Sequence, residues 1–207
     1  MRGRRVERFT GEICGFGTTS GHRVVVGRWP ESPFGPFADV MHEDPDGVRS
    51  LLAPTAEVAD FVRATYVFDR VVLVPVAAER TPGSLSVRAG GLEAEVGIGP
   101  RTGLGRLLRA VPAPLAGSPT WCTVTDPVAR VALRGVRTRG TAGGDRREFY
   151  GATDEHRVVS ARASLDGRDL GTLADVWPPV RFGFSSTPRR PSIVAVTTTI
   201  RHRAAMG

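Results

Sequence analysis

Glycine or proline interrupts this chain about once every five residues, with 25 Gly and 16 Pro among 207 positions. The usual share is roughly one in eight. Such punctuation leaves little room for long helices and favours short strands joined by tight turns. The runs between the breaks agree. Glu7 to Gly17 and His22 to Trp29 are β-like and flank the segment Gly15–Gly21, which makes them a hairpin candidate. Phe37 to Glu43 and Val48 to Ala53 flank Asp44-Pro-Asp-Gly47, where Pro presets the second turn position and Gly suits the fourth position of a type I turn. Ser84–Arg88 and Leu92–Ile98 alternate around Ala89-Gly-Gly91 as a second strong hairpin.

Two short helices fit between the strands. Thr55 caps one over Ala56–Ala64, with Val58, Phe61 and Val62 on one face. Leu104, Leu107, Leu108 and Val111 mark the other, bounded by Gly103 and Pro112. Tyr66 to Ala78, with Val71-Val-Leu-Val-Pro-Val76, reads as the most buried strand, and Pro75 requires a bulge or an edge. Further strands are expected over Val131–Arg139, Arg147–Tyr150, Arg157–Leu165, Val180–Ser185 and Ser192–Ile200, the last two as a pair. No repeat or linker divides the chain. The expectation is a mainly β protein: one antiparallel β-barrel-like domain over residues 1–207 with two short helices.

The basic residues number 28 and all are Arg, because the sequence contains no Lys; it also lacks Asn and Gln. Without lysine there is no Schiff-base chemistry, no standard P-loop and no standard protein kinase. The net charge is +7, yet the arginines are scattered, which describes a solvated surface rather than a specific nucleic-acid site. No apolar h-region follows the basic start, and the longest apolar run, Val71 to Ala78, is far short of a membrane span. A cytoplasmic location without membrane attachment is the expectation. Cys14 and Cys122 have no CxxC neighbour and read as buried thiols.

Arg28-Trp-Pro-Glu-Ser-Pro-Phe-Gly-Pro-Phe-Ala-Asp-Val40, Leu51-Leu-Ala-Pro54, Gly135–Gly140, Arg147–Gly151 and Pro178–Ser192 together resemble an uncharacterised family of actinobacterial proteins of similar length. The element Gly35-Pro-Phe-Ala-Asp39 is similar to a Gly-Pro-Tyr-x-Glu element of acetoacetate decarboxylase-like β-barrels. That resemblance implies a fold only, because the lysine that performs that family's chemistry is missing.

Four sets of residues carry chemistry on paper. His42-Glu-Asp44 and Asp154-Glu-His156 each set a histidine beside carboxylates, as a metal site or an acid–base pair requires. Polar residues also belong at the Asp44–Gly47 turn, and neighbours on a strand face opposite ways, so no metal or cofactor is expected. Tyr150 would complete a catalytic set with His42, Asp154 and His156. Arg28 and Trp29, with Arg189 and Arg190, are the ligand-binding candidates. An Arg on an apolar strand needs an anionic partner. For Arg28 that is either an acidic ligand or a structural partner at Glu31 or Asp39. The sequence therefore supports binding of a small apolar or weakly acidic molecule in a barrel cavity. A lyase or hydrolase using the His/Asp/Tyr set, and a non-enzymatic interaction protein or homodimer with a basic surface, are the alternatives.

Overall fold

A computed structural model describes residues 6–112, 139–142, 146–183 and 187–202. The strands are β1 (Val6–Thr18), β2 (Arg23–Glu31), β3 (Phe37–Glu43), β4 (Arg49–Ala53), β5 (Arg70–Leu73), β6 (Val76–Arg80), β7 (Ser84–Ala89), β8 (Leu92–Arg101), β9 (Arg139–Ala142), β10 (Arg146–Leu165), β11 (Arg168–Ala174) and β12 (Ser192–His202). The helices are α1 (Ala56–Arg63) and α2 (Gly103–Arg109). The strands bond in the order β5-β4-β3-β2-β1-β11-β10-β8-β7-β6, and β12 inserts between β1 and β10. The far end, β6, returns to lie against β3, and the Arg28 side chain donates to Ala78 O at 3.3 Å. The result is a mainly antiparallel barrel with extra strands.

The turn chemistry operates as its residues require. Gly47 adopts φ +85°, and its N–H donates to Asp44 O at 3.0 Å. Thr55 caps α1 by accepting from the Val58 N–H at 3.2 Å. Val58, Ala59 and Val62 then pack onto Leu51 and Ala53 of β4. Inside the barrel, alternate residues such as Cys14, Phe16, Val24, Val26, Val87 and Val96 form one apolar belt. Each fully buried Val or Leu of this belt stabilises the fold by roughly 1.5–3 kcal/mol.

Two expectations need correction. The apolar run at Val71 is not the most buried strand: Val71, Val72 and Leu73 of β5 are exposed. Pro75 breaks the run into β5 and β6, and β5 is left as a short edge strand. It pairs parallel to β4, at the edge of the antiparallel barrel. Val180–Ser185 forms no strand over the residues described, 180–183; Val180 and Phe182 fill a core against Val25 and Val176 from an irregular segment. β12 takes β1 and β10 as its partners instead. The α2 helix forms with Thr102 as its cap, but Leu107 points outward at 66% exposure. Most of the Val131–Arg139 expectation, together with Cys122, lies outside the described residues.

A buried acid sits outside the apolar belt. Asp39 is 2% exposed, and its Oδ1 accepts from Trp29 Nε1 at 3.0 Å. Gly27 makes the space, since a Cβ there would stand 2.5 Å from both atoms. Burial raises the Asp39 pKa from 3.8 to about 7, against the pull of the Trp29 hydrogen bond. A carboxyl raised in the folded state contributes stability that is complete below pH 3.8 and is lost as pH rises through about 7. Asp39→Asn keeps an acceptor for Trp29. It is expected to be more stable than the parent at pH 8, by on the order of 3 kcal/mol, with the gain vanishing near pH 4. Denaturant melts at the two pH values check this; an unchanged difference would contradict it.

Candidate functional site at the arginine mouth of the barrel

Charged side chains close both ends of the apolar belt. On β2, Val24 and Val26 point inward, and the same parity carries Arg28 inward beyond them. Opposite Arg28 on β1 is Glu12. This register depends on a β-bulge at Gly11, where a Cβ would lie 2.0 Å from Arg28 O. Arg80, at the end of β6, reaches the same carboxylate. Arg28 Nη1 lies 3.5 Å from Glu12 Oε2, and Arg80 Nε lies 3.6 Å from Glu12 Oε1. Neither contact is a hydrogen bond, and Glu12 Oε2 and Arg80 Nε are buried without a hydrogen-bond partner. The thiol of Cys14 sits just below. Burial first, and Glu12 second, push its pKa to about 12 against the effect of Arg80, so it is a core group and no nucleophile.

The second wall is built on β10. Ala195 of β12 pairs with Glu12 on one side and with Asp154 on the other, which sets the two carboxylates in one row. Asp154 also follows a bulge, between Ala152 and Asp154. Arg101, at the end of β8, holds it bidentately, with Nε donating to Oδ1 at 2.8 Å and Nη2 to Oδ2 at 3.0 Å. Arg109 of α2 approaches Asp154 Oδ2 at 3.7 Å, and His156 Nε2 approaches it at 3.6 Å. Burial opposes ionisation of Asp154, but the Arg101 hydrogen bonds, the Glu155 N–H and nearby charge outweigh it and hold the carboxyl below its ordinary range. Asp154 is thus a fixed anion. Among the described residues the mouth gathers four arginines around two carboxylates.

The opposite end is a separate polar cluster. Glu43, 1% exposed, accepts from the Arg181 N–H and from the Arg181 guanidinium, and pairs with Arg23 Nη2 at 3.2 Å. His42 stacks on His22 with ring planes 10° apart, and His42 Nε2 shares a hydrogen bond with His22 Nδ1 at 2.7 Å. His22 lines a half-open depression of about 440 Å³ together with Leu165, Asp166, Arg168 and Leu170. His156 and Leu165 are both on β10, about 30 Å apart at the strand rise.

The structure therefore divides the residues singled out from the sequence. Arg28, Asp154 and His156 share the mouth. His42 is at the other end, so His42 and His156 cannot hold one metal. Among the described residues no three His, Cys, Asp or Glu side chains cluster as a metal site. Tyr150 meets Tyr66, hydroxyl to hydroxyl. Trp29 faces away from Arg28 and packs among Phe9 and Phe37. Arg189 pairs with Asp175 at 2.9 Å and lies over Trp177, on the surface. Arg190 is also exposed. The carboxylate facing Arg28 is that of Glu12, 3.5 Å away, and neither Glu31 nor Asp39. Sequence reasoning missed Glu12, Arg80, Arg101 and Arg109. The signals were present in part: Gly11 inside a strand marks a bulge, and Arg80 continues the inward parity of Val76 and Ala78.

No protein-family model matches the chain, and no curated protein matches it. Among solved structures, acetoacetate decarboxylase from Legionella pneumophila subsp. pneumophila str. Philadelphia 1 is similar over 95% of this chain and 85% of that chain, at 10% identity and a TM-score of 0.45. A Nitrosomonas europaea protein assigned as AttH is similar over 98% of this chain and 52% of that one, at 12% identity and a TM-score of 0.27. No helix among the described residues is long and apolar enough to cross a membrane.

The His42 imidazole yields a pH prediction. Burial, and then the proximity of His22, lower its pKa from 6.5 to about 4. A depressed histidine contributes stability that is complete above pH 6.5 and is lost as pH falls through about 4. This slope opposes that of Asp39 over the same range. His42→Gln is expected to flatten the acid-side loss by on the order of 3 kcal/mol between pH 7 and pH 4. Thermal melts of parent and variant across that range measure it; parallel curves would contradict the assignment.

Proposed function

We propose that the protein binds a small organic acid at the arginine mouth of its barrel. The observation that carries this reading is the loose wall around Glu12. Two guanidinium groups flank a single carboxylate at 3.5 and 3.6 Å, and donor and acceptor capacity there is buried and unused. A buried polar group without a partner costs roughly 1–3 kcal/mol. A ligand carboxylate would take up the free donors of Arg28 and Arg80, and its apolar part would rest on the side chains below. The contrast with Asp154 supports the choice of wall, because Arg101 already satisfies that carboxylate with two short hydrogen bonds.

A second reading draws on the approach of His156 to Asp154 at 3.6 Å. In it, Asp154 orients the imidazole and His156 moves a proton on the bound acid, as a lyase or hydrolase requires. Binding is the premise of both readings.

Calorimetry with valerate and its neutral analogue valeramide tests the premise at low ionic strength. Valerate is expected to bind and valeramide not. Arg28→Met retains the length and the apolar stem but removes the donors and the charge. It is expected to weaken valerate by about 1.5–3 kcal/mol, a fall of roughly ten- to a hundredfold. Equal binding of the acid and the amide, or no binding of either, would overturn the reading.

A further inference from the structure

The charges of the mouth are distributed evenly between its walls. One wall holds Arg28 and Arg80 about Glu12; the other holds Arg101 and Arg109 about Asp154. Among the described residues each wall thus sets two cations against one anion. A single acid group neutralises one wall and leaves the other unchanged. The register fixes the separation: Glu12, Ala195 and Asp154 occupy consecutive strands, which puts the two backbone positions about 9–10 Å apart. Between the two carboxylates in this row stands Ala195, whose side chain is a single methyl group. The surplus cation of the second wall is accessible, since the Arg109 side chain is 62% exposed and its contact with Asp154 is long at 3.7 Å.

We infer that the mouth takes a two-headed acid: a short α,ω-dicarboxylate with one carboxylate on the Arg28/Arg80 wall and the other on Arg109. This rests on the reading of the mouth as an acid-binding site and narrows its ligand class. The methylene chain would cross Ala195, and its length would be set by the spacing of the walls. A compact dianion such as sulfate carries the same charge but cannot reach both walls, so charge and reach are separable properties.

The experiment is calorimetric titration of the full chain with succinate, glutarate, adipate, valerate and, at matched ionic strength, sulfate. One dicarboxylate of the series is expected to bind at least tenfold tighter than valerate, and sulfate is expected not to displace it. Arg109→Met, a change at an exposed side chain that leaves Asp154 on Arg101, is expected to cost that dicarboxylate at least tenfold in affinity and valerate much less. Dicarboxylates no tighter than valerate would overturn the inference and leave the acid-binding reading intact. Displacement by sulfate at similar concentration, or equal losses for valerate and dicarboxylate in Arg109→Met, would also overturn it. Failure of every acid to bind would remove both.

Discussion

The double pairing of β12 is the constraint on which the rest of the structure depends. Its residues bond to β1 along one edge and to β10 along the other, and through Ala195 and Ile193 they fix which residues of those two strands share a row. One row aligns Cys14, Ile193 and His156; the next aligns Glu12, Ala195 and Asp154. A slip of one residue in either pairing would turn those side chains to the other face of the sheet. It would also expose part of the apolar belt, so the packing of the core and the composition of the mouth are enforced together. The bulges at Gly11 and before Asp154 then bring both carboxylates into place at the point where the belt ends.

The belt and its two ends divide the energetic roles. Apolar burial through Phe16, Val24, Val26 and their neighbours supplies the favourable term. Charges at the ends must be compensated locally, because burying an unpaired charge is costly. At the histidine end Glu43 accepts two hydrogen bonds from Arg181 and forms an ion pair with Arg23, and His42 is kept neutral by burial against His22. At the arginine mouth compensation is incomplete around Glu12. Both ends keep an unused buried donor, Arg23 Nε at the histidine end and Arg80 Nε at the mouth; the mouth differs in that a carboxylate oxygen, Glu12 Oε2, is also without a hydrogen-bond partner among the described residues. Because Asp39 and His42 respond to pH in opposite directions, their effects on stability offset each other between about pH 4 and pH 7.

Much of the fold is legible in the sequence because local chemistry dictates it. Asp44–Gly47 and Ala89–Gly91 make the hairpins their turn residues specify, and Thr55 caps α1. The errors have non-local causes. Val71–Leu73 is apolar enough for a core, but Pro75 and the position of β5 at the sheet edge leave it exposed. Val180 and Phe182 are buried without belonging to a strand, which periodicity cannot detect. The site was legible only one residue at a time. Arg28 stood out as an Arg beyond an apolar strand, and Asp154 and His156 as neighbouring ionisable groups. That they meet, and that His42 does not join them, depends on which strands pair across β12. No local signal in the sequence encodes that pairing.

Comparing the thermal stability of Glu12→Gln and Arg28→Met tests most directly whether the mouth holds surplus positive charge for a ligand. Glu12→Gln removes the only carboxylate that pairs with Arg28 and Arg80 among the described residues, and leaves two like charges in a partly buried site. It is expected to destabilise the ligand-free protein by roughly 1–3 kcal/mol, between the values for exposed and buried pairs. Arg28→Met leaves Glu12 paired with Arg80 and is expected to cost less than about 1 kcal/mol. A loss on Arg28→Met as large as that on Glu12→Gln would mean that Arg28 is a structural partner of Glu12, and would contradict the account.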